Sequence, residues 1–271
     1  MGVPNSFERF QNDAQKYAAY LETPEGRLRI DLAFANLQEY LPPSPGSLRA
    51  LDLGCGTGAV GVRLAKLGLH VTLMDPSPAM LHLAESAARR AGVIESIELK
   101  EGQAERMPSL FPDGCFDLMV CHNVLEFVDD PVAVLRGAAR ALRRSSGRIS
   151  VLVRNQPGEV LKAALLHGDL AAAEQSLAAE WGNESLYDGK VRLFTPESLR
   201  EMLMEAGFSM KAERGVRILC DYLPPRVSRK DEYDRIFELE RKLGMLPQFA
   251  AVARYVHCLA IVGEPELKDG V

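Results

Sequence analysis

The stretch Leu51 to Gly58, LDLGCGTG, constrains this chain more than any other. An apolar run ends in a glycine-rich turn, and the residues that follow, Ala59 to Leu67, have helical spacing, so the unit is strand, turn, helix. Glycine is needed where the backbone takes positive φ or must come close to a ligand, and Gly54, Gly56 and Gly58 allow both. A helix start beyond such a turn also offers free N–H groups. The turn alone could also be a dinucleotide site, or a tight crossing that merely packs helix on sheet. The second strand, His70 to Met74, narrows the choice by ending in Asp75, where doubly wound nucleotide-binding folds place an acid against ribose hydroxyls.

The phrase DLGCGTG, with its leading Asp52 and without the pyrophosphate-binding GxGxxG spacing, resembles class I S-adenosylmethionine-dependent methyltransferases rather than dehydrogenases. That resemblance implies S-adenosyl-L-methionine as cofactor. It also implies an α/β fold, a Rossmann-like seven-stranded, mostly parallel sheet with one late reversed strand and helices on both faces.

The chain has 271 residues, 47% hydrophobic and 25% charged, which is ordinary globular material. Its net charge of −5 argues against nonspecific nucleic-acid binding, so a polyanionic partner would have to be gripped by a local cluster. No apolar run approaches the ~20 residues needed to span a bilayer, and the opening MGVPNSFERF lacks the order of a signal peptide. A cytoplasmic location without membrane partners is expected. The loose myristoylation pattern MGVPNS has no polybasic support. Five cysteines, mostly within apolar runs and without CxxC spacing, read as core thiols and give no metal site.

The expected organisation is an N-terminal helical segment over the cofactor (1–45), a cofactor-binding core (46–155), a helical lid insertion after the fifth strand (156–192), and the remaining sheet with substrate-side elements (193–271). Leu28 to Leu41 repeats apolar residues at helical spacing and carries Arg29 near its start, either as a solvated residue or as a contact. Gln103 and Ala104 follow the third strand, where the loop lies beside the adenine in this fold. In Cys115 to Val128 a fourth strand breaks at His122-Asn123, and ligands in open α/β sheets bind outside such carboxyl ends. Arg136, Arg140, Arg143 and Arg144 share one side of a helix and read as a solvated face or a phosphate-binding stripe. The fifth strand ends at Arg154-Asn155. The segment Gln156 to Arg192, rich in alanine and leucine, predicts helix up to Trp181.

Methyl transfer from a sulfonium is an in-line displacement that needs an aimed donor and a nucleophile with water removed. The place after the fourth strand reads His122-Asn123-Val124-Leu125 in place of the Asp/Asn-Pro-Pro-Tyr of amino-methylating DNA enzymes, and no cysteine sits in an electropositive, accessible setting. A carboxylate acceptor, with an ordinary pKa of about 4, is already ionised and needs only cationic positioning, for which arginine is suited.

The motifs GVRILCDYL (Gly215 to Leu223) and ARYVHCLA (Ala253 to Ala260), with EGRLR (Glu25 to Arg29), HNVLEFVDDP (His122 to Pro131) and Asn155, resemble the bacterial tRNA 5-carboxymethoxyuridine methyltransferases. The resemblance implies cofactor contacts at Arg29, the turn Gly54-Cys55, Asp75, Gln103-Ala104 and His122, with Asp52 and Gly56 added from the turn itself. On the substrate side it points to Asn155, Arg217 and Tyr222 as positioning residues and to the tRNA anticodon region as partner. Arg217 would hold an acceptor carboxylate or phosphate, or else pair with Asp221. The chain departs from the family where Lys190 and Arg192 stand in place of a lysine-rich run, and Leu142 to Gly147 in place of a Leu-Arg-Pro-Gly-Gly turn. A methyltransferase acting on a small-molecule carboxylate, amine or hydroxyl, and an idle cofactor-binding subunit, are the competing readings.

Overall fold

The computed structural model describes residues 13–43, 45–184 and 189–263. Residues 1–12, within the expected N-terminal segment and including the MGVPNS pattern, lie outside the described residues, as do 185–188 of the expected lid and the end of the chain.

The strands β1 (Arg49–Leu53), β2 (His70–Asp75), β3 (Ile97–Glu101), β4 (Leu118–His122), β5 (Arg148–Arg154), β8 (Phe208–Val216) and β9 (Tyr255–Val262) form one sheet in the order 3-2-1-4-5-9-8. Strands β1 to β5 pair in parallel, and β9 runs antiparallel to both β5 and β8, which is the expected late reversal. Order reverses between β1 and β4, so their carboxyl ends open a crevice.

Central strands buried on both faces explain their nearly continuous apolar sequence. In β4, Leu118 and Val120 pack beneath the helices Pro24–Gln38, Gly61–Lys66 and Pro78–Arg90, through Ile30, Phe34, Leu37, Leu64 and Leu81. Met119 and Cys121 point the other way, against Val134, Leu135, Leu199 and Leu203 of the helices Pro131–Ala141 and Pro196–Glu205. Side chains cap several helix starts. Ser77 accepts from the Met80 amide, Asp130 from Ala133, and Thr195 and Ser198 close a reciprocal box. Arg136 and Arg140 of Pro131–Ala141 reach exposed acids, Glu205 at 2.7 Å and Asp113 at 3.1 Å, as a solvated face does, while Arg143 in the turn after it pairs with the buried Asp117 at 3.1 Å.

The stretch after β5 departs from the single helical pattern expected. It forms the helix Gln156–Leu161, one wider turn at Lys162–Leu166, and the helix Leu170–Ser176, with Gly168 at φ 65° separating them and Asp169 capping the restart. Beyond it β6 (Trp181–Glu184) pairs with β7 (Gly189–Arg192) as an antiparallel hairpin. Tertiary contacts override the alanine-rich propensity here: the Arg192 amide donates to the Glu126 carbonyl at 3.2 Å, the Leu193 amide to Glu180 at 2.9 Å, and the Arg192 guanidinium lies over the Trp181 ring. Among the described residues no helix is long and apolar enough to cross a membrane.

Candidate active site

The turn after β1 places Gly54, Gly56 and Gly58 at φ 65°, 52° and 76°, a left-handed backbone that strains other residues. It is also closely covered: a Cβ on Gly54 would stand 2.5 Å from Val124 Cγ2, and one on Gly56 3.3 Å from the Tyr17 ring. The Cys55 amide donates to the Met74 carbonyl at 3.0 Å, fastening the turn to the end of β2.

Two buried carboxylates hold this turn. Asp52 accepts from the Gly61 amide at 2.9 Å, so it faces the start of the following helix. Burial pushes its carboxyl up to about 7, against the Gly61 bond and with the help of Asp75. Asp75 accepts from Gly56 through one oxygen and from Ser77 through the other, both at 2.9 Å, and burial raises it to about 6. Each Asp75 oxygen keeps lone-pair capacity that a hydroxyl could use. Gly102 donates to the Asp75 carbonyl at 3.2 Å, which brings Gln103 and the buried Ala104 alongside.

Arg29 enters from the helix Pro24–Gln38. It donates to Asn123 Oδ1 at 2.9 Å and to the Tyr17 hydroxyl at 2.8 Å, and its guanidinium lies over the rings of Tyr17, Tyr20 and Tyr255 at 5.8, 5.4 and 5.6 Å. Burial opposes its charge, and the three tyrosines outweigh that and raise its pKa. Asn123, at φ 55°, follows β4 and donates to Glu126, which also accepts the Arg154 amide at 2.9 Å. His122 precedes it. Burial first, then His257 and Arg29, push this imidazole well below its usual range, so it is neutral. Arg29 Nε and His122 Nδ1 are buried without a hydrogen-bond partner among the described residues.

The substrate-side candidates lie together at the ends of β5, β8 and β9. Arg217, buried at φ 60°, donates to the Tyr20 hydroxyl at 2.8 Å and pairs with Asp221, and its guanidinium lies 5.9 Å from the Tyr255 ring. Tyr20 and Tyr255 therefore touch both Arg29 and Arg217. Arg254, buried beside it, reaches Asp221 at 3.4 Å and Glu159 at 3.3 Å. Burial pushes the Tyr222 phenol up to about 12. Arg217 Nε, Arg254 Nη1 and the Tyr222 hydroxyl are buried donors with no hydrogen-bond partner among the described residues. Asn155 is fully buried and donates to the carbonyls of Ala251 and Ala253 at 2.9 and 2.8 Å, so its amide nitrogen fastens the chain before β9. The thiols do not compete as nucleophiles, since burial pushes Cys220 up to about 12 and Cys55 well above its usual value.

Sequence reasoning missed Glu126, Glu159, Glu240 and Arg254. Glu126 and Arg254 stand inside motifs that carried the resemblance, but nothing in their spacing marks a charged side chain as buried.

The methyltransferase domain family matches residues 51–150 of the chain. The tRNA 5-carboxymethoxyuridine methyltransferase of Escherichia coli (strain K12) is 29% identical over 270 residues, covering 97% of this chain and 98% of the relative. The ubiquinone biosynthesis O-methyltransferase of Aeromonas salmonicida (strain A449) is 36% identical over 108 residues, 40% of this chain and 44% of the relative. Among solved structures, an S-adenosylmethionine-dependent methyltransferase from Thermotoga maritima superposes with a TM-score of 0.61 at 16% identity, covering 94% of this chain and 99% of that one. The sheet order, the glycine turn with its acid at the end of β2, and these likenesses define a class I S-adenosylmethionine-dependent methyltransferase. Its methyl donor is S-adenosyl-L-methionine.

Proposed function

We propose that this chain methylates the carboxylate of 5-carboxymethoxyuridine at the wobble position of tRNA, with the anticodon region as its partner. The observation that carries the reading is the set of buried donors on Arg217, Arg254 and Tyr222 that have no hydrogen-bond partner among the described residues, which suits an anionic acceptor. The likeness to the Escherichia coli enzyme along nearly the whole chain supports the same acceptor.

The residues of the turn fit a nucleoside carrying a sulfonium. Asp75 has lone pairs for ribose hydroxyls, Gly54, Cys55 and Gly56 leave the backbone bare for close approach, and Gln103 and Ala104 stand where a base edge would lie. Arg29 offers an N–H and His122 a ring nitrogen, both without a hydrogen-bond partner among the described residues, to the amino-acid end, and a neutral His122 adds no charge to repel a cation. Asp52 acts from behind, by fixing the turn to its helix.

The donor supplies an electrophilic methyl group. A carboxylate acceptor is ionised at neutral pH and needs no base, so the protein's tasks are to hold that carboxylate, aim it and exclude water. Arg217 and Arg254 hold it, Tyr222 stacks on or bonds the nucleotide, and Asn155 keeps the chain before β9 in place. Residues 46–155 then serve as the donor-binding core, 156–192 as a lid, and the flanking segments 1–45 and 193–271 as cover and acceptor side.

The test is methylation of tRNA from a strain whose wobble carboxymethoxyuridine is unesterified, with nucleosides read by mass spectrometry. Appearance of the methyl ester supports the reading. No transfer to that nucleoside, with donor binding intact, moves the assignment to a small-molecule carboxylate, amine or hydroxyl.

A further inference from the structure

A line of buried side chains crosses the sheet from the helix Pro24–Gln38 to the site. Asn36 Nδ2 lies 3.2 Å from His257 Nδ1, His257 Nε2 lies 2.8 Å from Ser150 Oγ, and Ser150 Oγ lies 2.7 Å from His122 Nε2. Ser150 and His257 are fully buried and Asn36 is 4% exposed, so water does not compete along the line. The two imidazoles meet edge to face with ring centres 5.2 Å apart. At its far end the line stops at His122 Nδ1, buried and without a hydrogen-bond partner among the described residues.

The bonds have a direction. With the Asn36 NH2 group facing it, His257 accepts at Nδ1 and carries its proton on Nε2. Ser150 then accepts from His257 and turns its own hydroxyl hydrogen toward His122 Nε2. His122 is left with its proton on Nδ1. A histidine's free nitrogen is donor or acceptor according to the bond its other nitrogen makes, and here that bond is set three side chains away.

We propose that Asn36, His257 and Ser150 are positioning residues that lock His122 in its Nδ1–H tautomer, so that it presents a hydrogen-bond donor to an oxygen of the methyl donor. The last clause rests on the assignment of His122 to the donor side. Burial and its neighbours keep both imidazoles neutral, so tautomer and not charge is what the line controls.

The tautomers are read directly from nitrogen chemical shifts in the 15N-histidine-labelled protein. The wild type should show His122 protonated on Nδ1 and His257 on Nε2. In Asn36→Asp the carboxylate can only accept, the His257 proton moves to Nδ1, and every bond downstream reverses, leaving His122 with a bare Nδ1. Donor affinity in that variant should fall about tenfold, the loss of one hydrogen bond to a charged group or its replacement by repulsion. Adding Ser150→Ala to Asn36→Asp should uncouple His122 from residue 36. Protonation of wild-type His122 on Nε2 overturns the proposal, as does an unchanged His122 tautomer in folded Asn36→Asp. If Asn36→Asp does not fold, the wild-type spectrum and the Ser150→Ala spectrum decide. A reversed tautomer with unchanged donor affinity keeps the relay and removes His122 from the donor side.

Discussion

The Asp75 carboxylate accepts the Gly56 amide at 2.9 Å, so the acid at the end of β2 and the middle glycine of the turn form one unit. The same carboxylate holds Ser77 through its second oxygen. Asp75→Asn would aim an NH2 group at one of these N–H donors, and Asp75→Ala would leave both without a partner. Either variant should weaken S-adenosylmethionine binding about 10–100-fold, the cost of losing charge-assisted bonds. Calorimetric titration checks this, and donor affinity within a factor of two of wild type would remove Asp75 from the binding unit.

The two buried acids also make stability depend on pH in a defined direction. Both carboxyls are raised from 3.8, Asp52 to about 7 and Asp75 to about 6, so the native state holds protons that the unfolded chain releases. Their contribution is most favourable below about pH 4 and is lost as pH rises through the range up to the native values. Asp52→Asn keeps an oxygen for the Gly61 amide while removing the charge. Relative to wild type it should gain on the order of 2 kcal/mol between pH 5 and pH 8, read from urea unfolding at each pH. A constant difference across that range would show that Asp52 does not titrate there.

A Cβ at Gly54 meets two obstacles at once, a φ of 65° and Val124 Cγ2 at 2.5 Å. Gly54→Ala should cost about 1–3 kcal/mol in stability and lower donor affinity more than any change on the substrate side. Chemical denaturation and the same titration give both numbers. Wild-type values would mean that the turn tolerates a side chain, contrary to the packing beneath Val124.

The arginines proposed for the acceptor side should separate from the donor side in kinetics. Arg217→Lys and Arg254→Lys each keep the charge but lose the planar fork. With the proposed tRNA acceptor, KM should rise about tenfold while donor affinity stays within a factor of two, since one or two charge-assisted bonds are affected. An equal loss in donor affinity would place these residues on the donor side, for Arg217 through the Tyr20 and Tyr255 rings that it shares with Arg29.

The sequence pattern carried the fold because the elements that matter are locally encoded. The cap residues Ser77, Asp130 and Thr195 act within three residues of their own position, and the acid closing β2 reaches back to Gly56 inside one strand-turn-helix-strand unit. The late reversal of β9 followed from family resemblance and agrees with the pairing found. The hairpin at Trp181 was hidden because alanine-rich sequence favours helix while its strand register is held by Glu126 and Glu180, which are distant or flanking contacts. Buried charges were hidden for a related reason. Glu159 and Arg254 read as surface residues until β5 and β9 are placed side by side, and Asn36 reads as one polar residue on a helix until His257 arrives from the far end of the chain.

Glu240 shows how such a hidden charge bears on the site. It sits on the helix Tyr233–Gly244, fully buried, and its two oxygens accept the amides of Ile218, Leu219 and Cys220 at 2.7, 3.0 and 2.8 Å. Those amides follow Arg217, whose left-handed backbone needs the surrounding structure to over-determine it. Glu240→Gln turns an NH2 group toward N–H donors and removes the charge that holds them. It should cost about 2–3 kcal/mol, or a fall of about 5–10 °C in Tm for a chain of this size. Because the loop carries Arg217 and Tyr222, KM for the acceptor should rise as well, while the glycine turn, held by Asp52 and Asp75 on other strands, keeps its donor affinity. A variant as stable as wild type with an unchanged acceptor KM would mean that the three amides find other partners and that Glu240 does not shape the acceptor side.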